Sequence, residues 1–132
     1  MDLSQLSTAE AFDNGFALQI VHPVLGPIEG MTITVAGQDS KRYIDAQRAI
    51  ADKRLARNGK PLTAKDLEAE DLQGLAAVTI AWTGFERGGQ AVPCTETEAM
   101  RLYVDHGFAW LRRQVNEAVH TRGNFLKTSP DA

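Results

Sequence analysis

The side chains with the widest chemical repertoire are scarce in this sequence. Three histidines, His22, His106 and His120, and a single cysteine, Cys94, are the candidate bases, metal ligands and nucleophiles. The histidines lie in three separate stretches, and none stands at ligand spacing from a cysteine or a carboxylate, which a metal site requires. Surface or capping roles are expected for all three. Cys94 sits between Pro93 and Thr95, just ahead of a predicted helix N-terminus, a place that can lower a thiol pKa. A nucleophile also needs a base within reach, and the sequence nominates none. The carboxylates Glu68, Glu70 and Asp71 crowd a helix start, where negative charge complements the helix dipole. A solvated acidic face is expected there. Gly84, Gly88 and Gly89 precede no Gly-Lys-Ser or Gly-Lys-Thr, so no phosphate cradle is formed. No constellation for catalysis emerges. The expectation is a protein that is not an enzyme, with no catalytic residues, no metal and no cofactor.

The elements that would position any functional surface follow from periodicity. Residues 1–14 are mixed and end in the turn signal Asp13-Asn14-Gly15. Phe16, Leu18 and Ile20 alternate with Ala17, Gln19 and Val21, and Met31-Thr32-Ile33-Thr34-Val35 alternates again, which marks two half-buried strands. Pro23, Gly26, Pro27 and Gly30 between them predict a long connection of turns, giving a β-hairpin over 16–36. An isolated hairpin is marginal in water, so this one must lean on the rest of the protein or on another subunit.

Asp39 or Ser40 then offers an N-cap, and a helix is predicted to about residue 57, stopped by Asn58-Gly59 and Pro61. Its apolar face is thin: Tyr43, Ile44, Ile50, Ala51 and Leu55. Thr63 and Asp66 have capping-box spacing, and the next helix is predicted over 64–82, apolar nearly all round from Leu72 onward. The β-branched Val78, Thr79 and Ile80 leave a strand open as the alternative; the cap and the length favour helix. After a loop over 84–94, Thr95-Glu96-Thr97-Glu98 reads as a complete capping box for a helix over 96–105. Gly107 can end it. A last helix is predicted over 108–126, with Phe108, Leu111, Val115, Ala118 or Val119, and Phe125 on one stripe. Trp110 falls off that stripe, and either widens the core face or meets a partner. Ser129-Pro130-Asp131-Ala132 reads as a frayed tail. The fold class is therefore α+β, mainly α: one domain over 1–132, with an N-terminal β-hairpin followed by about four helices in the part over 39–127.

Composition agrees with that outline. Of 132 residues, 43% are apolar and 23% charged, values of an ordinary globular domain. The formal net charge of -3 and pI of about 5.6 make nucleic acid an unlikely partner class, since generic binders are basic. Charge is nevertheless polarised: residues 39–60 hold seven basic and three acidic side chains between acidic flanks. Lys53, Arg54, Arg57 and Lys60 concentrate at the helix C-terminus, where cations complement the dipole, and a partner-docking surface is the functional alternative. No apolar run approaches the roughly 20 residues that span a bilayer, so no membrane association is expected. Met1-Asp2-Leu3-Ser4-Gln5 lacks the basic and apolar stretches of a signal peptide. One cysteine allows no intrachain disulfide and fits a reducing compartment. Cytosolic residence is the expectation.

The order of motifs resembles a known family. A hairpin ending in Asp39-Ser40 is followed by a basic helix with Tyr43, Ala49, Arg54 and Leu55. Then come Ala81-Trp82-Thr83-Gly84-Phe85, the loop Val92-Pro93-Cys94-Thr95 with Glu98-Ala99, Trp110-Leu111-Arg112-Arg113-Gln114-Val115, and Arg122-Gly123-Asn124-Phe125-Leu126. Together, from about residue 16 to 127, these resemble the tail assembly chaperones of long-tailed bacteriophages and prophages. The resemblance implies a protein that binds the tape measure protein, the long helical ruler of tail length. It would keep that ruler soluble while tail-tube subunits, the major tail protein among them, polymerise around it. It further implies residence in the bacterial host cytoplasm and absence from the mature virion. Whether the chain forms a homo-oligomer stays open. The family supplies no catalytic residues and no motif for its partner site. The candidate partner-binding residues are Tyr43, Arg54, Trp82, Phe85, Tyr103, Trp110 and Phe125, aromatic and arginine side chains of the kind that anchor interfaces. The alternative function is a virion structural protein, such as a tail completion or connector component, using the hairpin for sheet extension. A small regulator acting through the basic helix is a third reading.

Overall fold

Gly15 marks the first change of backbone in the computed structural model, which describes residues 1–126. Before it lies a short helix, α1 (Ala9–Asn14), which periodicity did not reveal and which buries the ring of Phe12. After it, β1 (Phe16–His22) and β2 (Gly26–Val35) pair antiparallel, with Leu18 opposite Ile33 and Gln19 opposite Thr32. The connection is shorter than expected. Gly26, Pro27 and Gly30 lie inside β2, where Pro27 faces Val21 beyond the reach of any third strand. A proline is tolerated there because no ladder bond is asked of its nitrogen on the open side.

The helix starts follow the capping chemistry closely. Ser40 Oγ accepts from Tyr43 N at 3.1 Å and opens α2 (Lys41–Leu55). The stop is Asn58-Gly59, both at positive φ (54° and 80°). Thr63 and Asp66 complete a reciprocal capping box at the head of α3 (Ala64–Ala77). Only Ala46 and Ile50 of α2 are buried, so the thin apolar face is real. Polar contacts supplement it: Arg54 grips Glu70 through Nε at 3.0 and 3.1 Å, and Arg57 reaches Asp66 at 3.2 Å.

These contacts set an acid response. The backbone N–H and hydroxyl of Thr63, with Arg57, hold the Asp66 carboxyl below its ordinary value, and Arg54 does the same for Glu70. The unfolded chain therefore binds these protons more tightly than the folded one. Their stabilisation is complete above the ordinary carboxylate pKa and is lost as pH falls through the depressed values. The thermal midpoint is expected to drop as pH falls below the ordinary carboxylate range, and Glu70→Gln to flatten part of that drop. Calorimetry across this range is the check; an unchanged slope in the variant would remove Glu70 from the account.

The predicted helix over 64–82 is corrected. Helix α3 stops at Ala77, and Thr79–Thr83 forms strand β3, antiparallel to β2, with Thr34 opposite Ala81 and Thr32 opposite Thr83. The β-branched Val78, Thr79 and Ile80 suit a strand, and the open side of β2 decides the matter by pairing. Thr79 Oγ1 donates to Leu75 O at 2.9 Å, diverting the backbone at the helix end. The expected hairpin is thus two strands of a three-stranded sheet in the order β1-β2-β3.

The loop over 84–94 contains a small hairpin, β4 (Glu86–Arg87) with β5 (Gln90–Ala91). Thr95 caps α4 (Glu96–Val104) through Glu98 N at 3.1 Å. The Glu98 carboxylate turns instead to Arg87 at 3.2 Å and Arg101 at 3.8 Å, so only half of the expected box forms. The last helix is shorter than predicted: α5 spans Ala109–His120. Phe108 leaves the stripe, half-exposed in a 3-10 turn, and a second such turn at Arg122–Asn124 carries Phe125 back into the core. The described residues hold five α-helices: α1, which was not expected, precedes the hairpin, and four follow it, against about four expected there. Residues 129–132, read as a frayed tail, lie outside the described residues.

One buried cluster draws on Phe12, Ile20, Ile33, Leu75, Tyr103, Val115 and Phe125, uniting the helices and the sheet. Helix α5 covers β1, and Gln114 grips the outer edge of that strand. Its Oε1 accepts from Val21 N at 3.1 Å and its Nε2 donates to Val21 O. This side-chain amide stands in for a neighbouring strand. Gln114→Ala should cost about 1–2 kcal/mol, two hydrogen bonds' worth, and raise amide exchange at Val21. Hydrogen exchange localises the effect; protection at Val21 unchanged from the parent would show that the amide contributes nothing.

Candidate functional site

Two of the three histidines take structural roles, and the third, His106, is exposed. His22 Nδ1 accepts from Val24 N at 3.0 Å and Leu25 N at 3.1 Å, which fixes the turn of the β1-β2 hairpin. Its ring stands edge-on to Trp110, with centroids 5.0 Å apart. His120 Nδ1 bonds Asn116 O at 2.8 Å on its own helix, and the ring meets Tyr43 edge-on at 6.1 Å. Cys94 departs from the expected pattern: burial pushes its thiol up, and Arg42 offsets this only in part. A thiol so placed is less nucleophilic at neutral pH. Among the described residues no group of three or more His, Cys, Asp or Glu could hold a metal ion. No helix described here is long and apolar enough to cross a membrane.

Two clefts carry the exposed features of interest. The larger, about 650 Å³, lies between α3 and α5, with Tyr43 and Gln47 of α2 on its border. Its origin is in the packing. Helix α3 rests mainly on α2 and α4, whereas α5 rests mainly on β1 and β2 and only lightly on α4, so a furrow remains between the two helices. The floor is apolar: Leu72, Leu75, Val78 and Val119. Leu67, 45% exposed, extends the apolar lining toward solvent. The walls differ in sign. Glu68 and Asp71 line the α3 side, Arg112 and Arg113 the α5 side. Glu68 and Arg112 meet across the mouth at 3.5 Å, both substantially exposed.

The smaller cleft, about 320 Å³, is aromatic. Trp82 and Phe85 stack face to face at 4.7 Å and 3°, and Trp82 Nε1 donates to Val92 O at 2.8 Å. Trp110, Phe108, Met31 and Leu102 also line it. Arg87, Glu98, Arg101 and Asp105 line the cleft beside them, mixed in sign.

The residues singled out from sequence are thus divided. Trp82, Phe85 and Trp110 come together in the aromatic cleft, although Phe85 itself is buried. Tyr43 borders the other cleft. Arg54 lines neither and is engaged by Glu70. Tyr103 and Phe125 are corrected to core side chains. Tyr103 is 1% exposed, its hydroxyl 2.7 Å from Thr79 Oγ1, and burial raises its phenol pKa strongly. Because Thr79 gives its hydrogen to Leu75 O, Tyr103 is the donor in that pair. Phe125, 5% exposed, stacks on Phe12 at 5.2 Å. Both rings lie in the core rather than on the surface. The sequence suggested no partner role for Leu67, Arg112 or Arg113, and Asp71 was expected only in a solvated acidic face. Leucine at position 67, amid the acidic start of α3, and the arginine doublet on α5 were the available signals.

Comparisons with protein families, with curated proteins and with solved structures find no match for this chain.

Proposed function

We propose that this protein is a tail assembly chaperone that binds the tape measure protein of a long-tailed bacteriophage or prophage, keeps it soluble in the host cytoplasm and assists assembly of the tail tube. The resemblance of the ordered motifs raises the reading. One structural observation supports it: the α3-α5 cleft, apolar along its floor and charged on both walls, has the form of a helix-binding groove. A long helical ruler carries many apolar stripes, and many weak copies along it would gain avidity. The aromatic cleft, where Trp82 and Trp110 are part-exposed, offers a second anchoring place for the same ruler or for the major tail protein.

Coexpression tests the reading. The tape measure protein encoded beside this chain is expected to stay soluble and copurify in its presence and to precipitate without it. Equal solubility with and without this chain, and no copurification, would sink the proposal. Mass spectrometry of purified particles addresses the alternative of a virion structural protein. That reading draws on β3, whose outer side pairs with no strand among the described residues, whereas Gln114 blocks the outer side of β1. A chaperone is expected to be absent from particles; a stoichiometric amount favours the structural reading. The regulator reading loses support, because Arg54 and Arg57 of the basic run are engaged by Glu70 and Asp66.

A further inference from the structure

We infer that the α3-α5 cleft accepts an amphipathic helix of a partner protein in a single direction, selected by the opposite charge of its two walls. This deepens the reading that the chain binds a long helical protein, and it rests on that reading. The carboxylates Glu68 and Asp71 stand on one wall, the guanidinium groups of Arg112 and Arg113 on the other, with Leu72, Leu75, Val78 and Val119 beneath. From Arg112 to the Tyr43-His120 contact the cleft follows α5 for about 12 Å, a little over two helical turns. An occupant would seat apolar side chains at i, i+3 or i+4, and i+7. The positions flanking that stripe then lie against the walls. A basic flank suits Glu68 and Asp71, and an acidic flank suits Arg112 and Arg113.

Turning a helix end for end in a groove exchanges its two flanks. A helix with one acidic and one basic flank therefore matches the walls in one direction and meets like charge in the other. A helix whose flanks share a sign meets like charge in both. Among the described residues Asp71 and Arg113 hold no ion pair, so their charge is available to an occupant. Glu68 and Arg112 hold each other across the mouth, and an exposed pair of that kind is weak. The incoming helix exchanges it, giving Glu68 a cation and Arg112 an anion. A second copy of this chain is the poorer occupant. The surplus on α2, its most exposed long helix, is basic and suits one wall alone.

Four labelled helical peptides with one shared leucine stripe provide the test. Two carry split flanks, acidic on one side and basic on the other, in opposite order; the third is acidic on both sides and the fourth basic on both. Fluorescence anisotropy at low salt should show both split-flank peptides binding about tenfold more tightly than either single-sign peptide. A spin label at the peptide N-terminus should broaden NMR signals at opposite ends of the cleft for the two split-flank orders. The variant with Glu68→Arg, Asp71→Arg, Arg112→Glu and Arg113→Glu alters solvent-facing groups and should reverse both directions while keeping the parent circular dichroism. Equal affinity for all four peptides, or one docking direction for both split orders, would overturn the inference. So would concentration-dependent self-association of the chain that excludes the peptides. If the peptides obey the charge rule while the tape measure protein gains no solubility, the functional proposal fails and the cleft reading stands. If the tape measure protein is held soluble and the peptides show no preference, the directional inference alone fails.

Discussion

Replacing Gly84 by alanine should destabilise the fold by about 3 kcal/mol, measured by urea unfolding. Two independent penalties combine at this position. Its φ of +77° lies in the left-handed region, which an L side chain adopts at a cost. A Cβ there would also stand 2.5 Å from Gly30 O and 3.2 Å from Met31 Cα, both backbone atoms of β2 that cannot swing aside. The turn matters because of what it connects. It ends β3 and directs Phe85 back over Trp82, so the Trp-x-Gly segment is a device for building the aromatic stack. Gly88 is the control. It shares a positive φ (61°), but a Cβ on it meets nothing within 4 Å, so Gly88→Ala should cost only about 1 kcal/mol of backbone strain. Equal losses for the two variants would show that the contact with β2 contributes nothing.

Phe125→Ala should cost about 3–4 kcal/mol, in line with a fully packed ring removed from a core. Phe125 stacks on Phe12 at 5.2 Å and meets Phe16 edge-on at 6.2 Å, so one side chain ties the last described segment to α1 and to the sheet. As a partner contact, it would lose binding and keep stability when truncated. As a core ring, it loses stability first. Leu67→Ala, on the solvent-side lining of the large cleft and 45% exposed, should change stability by less than about 0.5 kcal/mol. Denaturant midpoints of the two variants decide between these roles; a Phe125 variant as stable as its parent would return that residue to the candidate surface.

Local chemistry was legible where it is local. The caps at Ser40, Thr63 and Thr95 and the stop at Asn58-Gly59 each depend on a hydroxyl or a backbone angle within a few residues, and each appears where the sequence placed it. Strand β3 was not legible, since Val78, Thr79 and Ile80 suit two conformations and the open side of β2, more than 40 residues earlier, chooses between them. Helix α1 escaped notice because its single buried ring acquires a purpose only in the assembled core, over Gly37 and against Phe125. The aromatics show the same limit. In sequence, Tyr103 and Trp110 are both aromatic side chains on predicted helices, and each could serve a core or a partner. Burial separates them, and burial is a property of the assembled core. The two charged walls were equally hidden: an acidic helix start and an arginine doublet become one cleft only when α3 and α5 lie side by side.

The Gln114 grip on Val21 has a consequence for the order of events at the ribosome. The two residues are 93 positions apart. At about 5–20 residues per second, β1 leaves the ribosome some 5–20 s before the side chain that closes its edge. Throughout that interval the hairpin can form its own ladder, but its outer strand lacks Gln114, and Val24 and Leu25 protrude at its tip. Pairings this distant in sequence also slow the search for the native state. The nascent protein is therefore exposed to edge-to-edge association during its own synthesis, and its yield should depend on translation speed and on the holdase capacity of the cell.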